Sequence, residues 1–166
     1  MEEFKSGFVT IVGRTNVGKS TLLNLLVGEK VAAIANKVQT TRTAIKGIVN
    51  RKNSQIIFTD TPGIHKPKHK LNETMVETSF TSMQDADVVL FIIEATREDI
   101  GKKDRKKKEK IKEFKRKTIL IINKIDLIKR EKLLNLIDIY SKEYNFEAVI
   151  PIEATNIKYK EIVLDE

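Results

Sequence analysis

A chain of 166 residues is long enough for one domain with a proper hydrophobic core and too short for two domains of ordinary size. Its longest apolar run, at 88–93, is far shorter than the ~20 residues of a transmembrane helix, and the N terminus does not have the pattern of a signal peptide. The lack of cysteine excludes disulfides and thiolate metal sites and fits a cytoplasmic protein. The net charge of +8 comes from one segment, 102–117, which has eleven basic and three acidic residues, while the rest of the chain has twenty of each.

The first predicted strand, at 8–12, leads into GRTNVGKS at 13–20 and a predicted helix at 19–27. This segment satisfies the phosphate-loop pattern G-x-x-x-x-G-K-[ST] in the proper strand–loop–helix context, and its backbone N–H groups and helix N terminus would face phosphate oxygens. Lys19 can reach the β- and γ-phosphates, and the Ser20 hydroxyl can ligate magnesium. The loop predicts a nucleoside triphosphate without specifying the base. The expected contacts are Gly13, Arg14, Thr15, Asn16, Val17, Gly18, Lys19, Ser20 and Thr21.

Two further segments predict a switch around the γ-phosphate. In KVQTTR at 37–42, a threonine would complete the coordination of magnesium when the γ-phosphate is present; Thr41 is preferred, although the sequence does not separate it firmly from Thr40. In DTPG at 60–63, Asp60 would hold magnesium through water and the Gly63 N–H would contact the γ-phosphate, whereas the alternative is an ordinary type II turn. The expected contacts here are Asp60, Thr61, Pro62, Gly63 and Ile64.

The remaining pattern alternates strands and helices. Strands are predicted at 44–49 and 54–60, and the polar five-residue stretch NRKNS at 50–54 is interpreted as the break between them, which is typical of a hairpin. Further strands are predicted at 87–93, 117–123 and 147–152, and helices at 72–84, 103–116, 129–144 and 157–166. In 129–144, helical spacing relates Leu133, Leu134, Ile137 and Tyr140. The fold class predicted is α/β of the P-loop NTPase type: a doubly wound, mostly parallel, six-stranded sheet with one antiparallel edge strand.

A guanine-reading element follows the strand at 117–123. In NKID at 123–126, the Asp126 carboxylate can accept hydrogen bonds from the guanine N1–H and 2-amino group, a donor pair that adenine lacks. Lys124 can lie along the base plane, and Asn123 can tie this turn to the phosphate loop. The motif alone is weak and is often a helix cap, but about a hundred residues after a phosphate loop it favours GTP over ATP. Ile125 completes the expected contacts.

The basic segment at 102–117 has two interpretations. It is either a solvated helix face or a patch attracted to RNA or to an anionic membrane surface. No run of aromatic residues accompanies it, so base stacking is not predicted.

Together these residues resemble the Era-type bacterial GTPases, from about Phe8 to Asn156. The motifs that carry the resemblance are GRTNVGKST (13–21), KVQTTR (37–42), IFTDTPGIHKPKHKLN (57–72), MVETSFTSMQDADVVLFIIEATR (75–97) and NKIDLI (123–128). The resemblance implies GTP and GDP as ligands, magnesium, hydrolysis of GTP, maturation of the small ribosomal subunit through 16S rRNA, and peripheral contact with the inner face of the cell membrane. It also implies a KH RNA-binding domain; because no GXXG occurs here, the expectation is a G domain alone, spanning 1–166 and monomeric.

Several positions refine this expectation. Ile64 stands where Ras-like proteins carry a water-orienting glutamine, and an aliphatic side chain cannot polarise water. Asn16 either helps to bind potassium beside the β–γ bridge, as in several bacterial GTPases, or only stabilises the loop. The candidate catalytic groups are Lys19, Asn16, Thr41 and Gly63, and the magnesium ligands are Ser20, Thr41 and Asp60.

Two departures concern the base and the phosphates. The fifth guanine-nucleotide element usually reads S-A and is here Glu153-Ala154-Thr155, so the Ala154 N–H could meet guanine O6 while Glu153 replaces serine. Thr15 replaces the usual proline that faces the γ-phosphate, which would alter hydrolysis.

Three functions follow from these patterns. The first is a GTP-hydrolysing switch that works by positioning and electrostatics. The second is a guanine-nucleotide-dependent binding module with negligible hydrolysis, because Ile64 and Thr15 supply no catalytic base. The third is an RNA-binding module that acts through 102–117.

Overall fold

The computed structural model describes residues 2–14, 16–28, 45–59, 86–96 and 117–166. These ranges form six strands, three α-helices and one 3₁₀ turn. The strands are β1 (Lys5–Gly13), β2 (Ile45–Arg51), β3 (Ser54–Thr59), β4 (Val88–Glu94), β5 (Lys117–Asn123) and β6 (Ala148–Pro151). The helices are α1 (Lys19–Val27), α2 (Arg130–Glu143) and α3 (Tyr159–Asp165), and the 3₁₀ turn is Ile125–Leu127. The helices predicted at 72–84 and 103–116 lie outside the described residues.

The six strands form one sheet in the order β2-β3-β1-β4-β5-β6. β1 pairs in parallel with β3 and β4, β5 pairs in parallel with β4 and β6, and β2 pairs antiparallel with β3 at the edge. The predicted fold class, a mostly parallel sheet with one antiparallel edge strand, is confirmed.

The β2–β3 hairpin is tighter than predicted. Arg51 pairs with Ser54, so only Lys52 and Asn53 form the turn, and the expected five-residue break is wrong. The polar residues of that break belong to the strands because an edge hairpin exposes side chains to solvent. There the Gln55 side-chain amide donates a hydrogen bond to the Asn50 side chain at 2.9 Å.

Helices cover the sheet on both sides. Alternate residues of the central strands point to opposite faces. On one face, Val89, Phe91 and Ile93 of β4 pack in a cluster with α2. On the other, Leu90 and Ile92 pack in a cluster with buried residues of α1 and α3. The continuous apolar runs of β4 and β5 are therefore explained by burial on both sides.

The inner face of α2 differs in one place from the expected spacing. Tyr140 is buried, and Leu133 and Ile137 pack against the same core, but Leu134 is 55% exposed and Leu136 is buried instead. Leu136 and Tyr140 are one helical turn apart and share a face, whereas Leu134 is rotated by about 200° from Leu136 at ~100° per residue.

The Arg51 side chain connects the β2–β3 hairpin to α3. The Arg51 guanidinium donates to the Leu164 carbonyl at 3.0 Å and to the carboxylates of Asp165 and Glu161 at 2.6 and 3.1 Å. The hydrogen bond to Asp165 raises the pKa of Arg51 above its usual value. None of the helices in the described ranges has the length and apolar character that crossing a membrane requires.

Candidate functional site

The carboxyl ends of three parallel strands bring the candidate segments to one edge of the sheet. β1 ends at Gly13, where the phosphate-loop sequence begins, and β5 ends at Asn123, where NKID begins. β4 lies between them and ends at Glu94, in register with Asn123. In open α/β sheets such an edge is where ligands bind.

The loop between β1 and α1 has a backbone that its glycines make possible. Gly18 has a φ of 106° and Asn16 a φ of 65°, both in the left-handed region. A β-carbon on Gly13 would lie 2.6 Å from the Ile92 carbonyl oxygen, and one on Gly18 would collide with the Asn123 side-chain amide. A larger residue at Gly13 would therefore displace β4 at Ile92, and one at Gly18 would displace the Asn123 side chain.

The start of α1 is suited to an anion. Its first turn contains no acidic residue, and no side chain forms a hydrogen-bonded cap at its N terminus, Gly18. The first N–H groups of the helix and its dipole therefore face the loop. The Lys19 ammonium lies in the same loop, where it donates to the Gly13 carbonyl at 2.7 Å. Ser20, the expected magnesium ligand, and Thr21 are exposed in this first turn.

Asn123 joins the phosphate loop to the two segments that are predicted to face the base. Its side-chain amide donates to the Val17 carbonyl at 2.9 Å, and its side-chain oxygen accepts the Ala154 N–H at 3.0 Å. Asn123 is only 3% exposed, so both bonds are shielded from water. The structure thus brings together three segments that the sequence places up to 141 positions apart, from Gly13 to Ala154.

Lys124 connects the NKID segment with the phosphate loop and with β4. Its ammonium donates to the Asn16 carbonyl at 3.1 Å and forms an ion pair with the Glu94 carboxylate at 2.7 Å. Glu94 is a residue that the sequence analysis missed. The available signal was an acidic residue directly after the apolar run at 88–93, at the carboxyl end of a central strand.

The remaining residues that are predicted to face the base lie near Asn123. Asp126 is exposed in the 3₁₀ turn, and the Ile125 N–H donates to the Ile152 carbonyl at 3.3 Å, which holds this turn against the end of β6. The Thr155 hydroxyl donates to the Glu153 carboxylate at 3.4 Å. Because the Ala154 N–H donates to Asn123 here, a contact with guanine O6 would require this N–H to share or leave that bond.

Several predicted residues lie outside the described ranges: Thr15, Thr40, Thr41, Asp60, Thr61, Pro62, Gly63, Ile64 and the basic residues at 102–116. Their assignments stay predictions. Among the described residues, no group of three or more His, Cys, Asp or Glu side chains could hold a metal ion by itself. The described part of the expected magnesium site is the Ser20 hydroxyl, an oxygen donor of the kind that magnesium prefers.

Known proteins resemble this chain over most of its length. A family model described as "50S ribosome-binding GTPase" matches residues 8–124. The GTPase Era of Ruminiclostridium cellulolyticum is 47% identical over 163 residues, which are 98% of this chain and 54% of that protein. The GTPase Era of Clostridium botulinum strain Eklund 17B is 49% identical over 162 residues, 98% of this chain and 55% of that protein. The chain thus spans about half the length of these relatives.

Solved structures of Era proteins are also similar to this chain. In a crystal structure of Era in complex with MgGDPNP and nucleotides 1506–1542 of 16S ribosomal RNA, the Era sequence is 42% identical to this chain and the TM-score is 0.77. The match covers 98% of this chain and 56% of that chain. An Aquifex aeolicus Era variant bound to GDP.AlF4- is 40% identical, with a TM-score of 0.73, over 98% of this chain and 56% of that chain.

Proposed function

The chain belongs to the family described as 50S ribosome-binding GTPases, and from this premise we propose that it is an Era-type molecular switch that binds GTP with magnesium and hydrolyses it to GDP and phosphate. The observation that carries the proposal is the bridge made by Asn123. One buried side chain holds the phosphate loop through Val17 and the base-facing segment through Ala154. The phosphate loop and the segment around Ala154, which is predicted to face the purine, are therefore held at a fixed spacing.

The phosphate end of the site works by electrostatics. The N terminus of α1 and the Lys19 ammonium supply positive charge to the loop, and no carboxylate in the first turn opposes it. In phosphoryl transfer, stabilisation of charge on the transferred group accounts for most of the catalysis. Magnesium, when bound, neutralises phosphate charge; Ser20 is the described residue that would hold it, with Thr41 and Asp60 as the further predicted ligands.

The base end of the site selects guanine. The Asp126 carboxylate is exposed at the turn that follows β5, where a bound purine could reach it. Its two oxygens accept hydrogen bonds but cannot donate, so they suit the N1–H and 2-amino groups of guanine and oppose the acceptor edge of adenine.

Potassium is proposed as a second cation. Asn16 occupies a left-handed backbone conformation at the middle of the loop and is exposed there, so its side-chain oxygen is accessible to an ion. Ile64 cannot orient water as a glutamine would, and a monovalent cation beside the β–γ bridge would assist hydrolysis in a different way, by adding positive charge there.

The cellular role proposed is assembly of the small ribosomal subunit through 16S rRNA. Its support is the similarity to Era proteins, one of which was crystallised with nucleotides 1506–1542 of 16S rRNA. We further propose a monomer in the cytoplasm with peripheral contact to the inner face of the membrane. The basic residues at 102–117 would assist contact with RNA or anionic lipid, and the principal RNA contacts would be made by a KH domain of the kind that the resemblance to Era implies.

The test is nucleotide competition followed by a turnover assay. Methylanthraniloyl-GDP bound to the purified chain with magnesium is displaced with GTP, GDP, ATP and XTP, and phosphate release is then measured with GTP. We expect displacement by GTP and GDP at concentrations at least ~100-fold lower than by ATP, together with slow phosphate release. Equal displacement by ATP would contradict the guanine assignment. Guanine-selective binding without phosphate release would favour the binding module over the enzyme.

A further inference from the structure

We propose that Glu94 is a positioning residue for guanine-nucleotide binding, which acts by holding the Lys124 ammonium against the phosphate loop. This inference rests on the proposed function, since it concerns how tightly the same site holds its nucleotide. It assigns a role to a side chain that belongs to neither the phosphate loop nor the NKID segment.

The first argument is where the backbone places Glu94. It is the last residue of β4 and pairs in register with Asn123, the last residue of β5. Directly after it, the Ala95 N–H donates to the Asn123 carbonyl at 2.8 Å. Glu94 therefore stands on the rigid end of a central strand, beside the segment that reads the base.

The second argument is the chain of contacts. The Glu94 carboxylate lies 2.7 Å from the Lys124 ammonium, which also donates to the Asn16 carbonyl at 3.1 Å. The Glu94 side chain is only 15% exposed and that of Lys124 is 35% exposed. A charge-assisted bond between partly buried groups is stronger and less mobile than the same pair on the open surface.

The third argument is the conformation of Lys124. Its φ of 64° lies in the left-handed region, which is unfavourable for a side-chain-bearing residue and persists where neighbouring contacts determine it. Lysine has a flexible four-carbon stem with high rotamer entropy. With Glu94 and Asn16 fixing its end, that stem spans from the NKID turn to the phosphate loop and forms a fixed wall for a bound purine.

The sign of the effect separates this role from simple electrostatics. A carboxylate near a polyphosphate site lowers the positive potential, so removing its charge would by itself leave anion binding equal or tighter. Positioning predicts the opposite: without Glu94, the Lys124 ammonium loses its charged partner, the stem becomes mobile, and the nucleotide dissociates faster.

The experiment is a double-mutant cycle on methylanthraniloyl-GDP affinity and dissociation rate, measured with magnesium in Glu94→Gln, Lys124→Met and the double variant. We expect Glu94→Gln to weaken binding about tenfold, mostly through faster dissociation. The double variant should bind no more weakly than Lys124→Met alone, because the positioning role proposed for Glu94 acts through Lys124. Glu147→Gln, an exposed glutamate just before β6, is the matched control and should bind as the wild type does.

Glu94→Asp keeps the negative charge on a shorter side chain and should bind methylanthraniloyl-GDP more tightly than Glu94→Gln does. It also provides a second test of the inference if Glu94→Gln does not fold. Unchanged or tighter binding by Glu94→Gln, or an undiminished further loss in the Lys124→Met background, would overturn the inference while leaving the proposed function standing. Failure of the wild-type chain to bind GDP would instead overturn the proposed function.

Discussion

The side chain of Asn123 donates a hydrogen bond of 2.9 Å to the backbone carbonyl of Val17, a residue 106 positions earlier in the chain. Both residues are nearly inaccessible to solvent. The contact turns two separate loops into one rigid framework, because the same asparagine also accepts the Ala154 N–H.

Replacing Asn123 with alanine is expected to destabilise the fold and to weaken nucleotide binding together. The substitution leaves a carbonyl and an N–H buried without partners, which costs about 2–5 kcal/mol of the free energy of unfolding. Urea denaturation and methylanthraniloyl-GDP titration measure the two effects. Asn135→Ala, on the exposed face of α2, is the matched control and should change neither by a measurable amount.

Gly18 and Gly28 allow a paired test, since both have a positive φ, 106° and 75°, at opposite ends of α1. Alanine at either position should cost about 1–2 kcal/mol of stability from the left-handed backbone. Only Gly18→Ala should also lower GDP affinity, by tenfold or more, because its β-carbon would push the Asn123 side chain aside. At Gly28 the nearest atom is the mobile end of Lys160, so GDP affinity there should be retained. Equal losses of affinity would contradict this account of the loop.

Asp126→Asn is expected to change the base preference from guanine toward xanthine. The new side-chain amide would donate a hydrogen bond to the xanthine 2-carbonyl and accept one from a ring N–H of xanthine. With guanine, the amide N–H would instead face the 2-amino group, which is also a donor. Competition with GDP and XDP should show a fall of about 100-fold or more for GDP and a gain for XDP. A variant that still prefers GDP would show that another residue recognises the base.

Turnover of GTP should rise when potassium replaces sodium at equal ionic strength. Asn16→Gly should abolish that rise, since glycine tolerates the left-handed backbone and removes only the side chain. Because the backbone carbonyl that accepts Lys124 remains, GDP affinity should change little. If the wild-type rate is the same in both cations, the asparagine stabilises the loop and does not bind the ion.

Arg51→Ala should loosen α3 without affecting the nucleotide site. The guanidinium holds the Leu164 carbonyl and two carboxylates of that helix, so its loss should speed hydrogen exchange of the α3 amides. The pKa of Arg51 is raised above its usual value, chiefly by the hydrogen bond to Asp165, so the contribution of this group is fully present below the usual pKa and is lost only as pH rises through the raised pKa. The stabilisation of α3 that the Arg51 guanidinium provides, measured as the difference between wild type and Arg51→Ala, should therefore be constant from about pH 6 to 9.

Sequence patterns predicted the sheet well because most of its strands are continuous apolar runs. They predicted α1 well because it directly follows the phosphate-loop motif. α1 was placed at 19–27, and the structure begins and ends it at Lys19 and Val27. The same patterns did not distinguish Leu134 from Leu136 on α2, because both are apolar and only the packing against β4 and β5 decides which is buried. The hairpin turn was overestimated because polar residues occupy an edge strand as readily as a loop.

The candidate site was predictable where one local motif specifies it, as with the phosphate loop and NKID. The role of Asn123 followed from its motif, but the pairing of Glu94 with Lys124 did not. It depends on β4 and β5 being neighbours in register, a relationship across 30 positions that no local pattern in the sequence encodes.

The residue-by-residue alignment of β4 with β5 has a consequence for how this chain can vary in length. Seven consecutive residue pairs, from Val88 with Lys117 to Glu94 with Asn123, fix the position of one strand end relative to the other. One inserted residue in either strand would shift its end by about 3.3 Å and turn its following side chains to the opposite face. Insertions and deletions should therefore be tolerated in surface connections such as the one around Asn145, and excluded from these two strands.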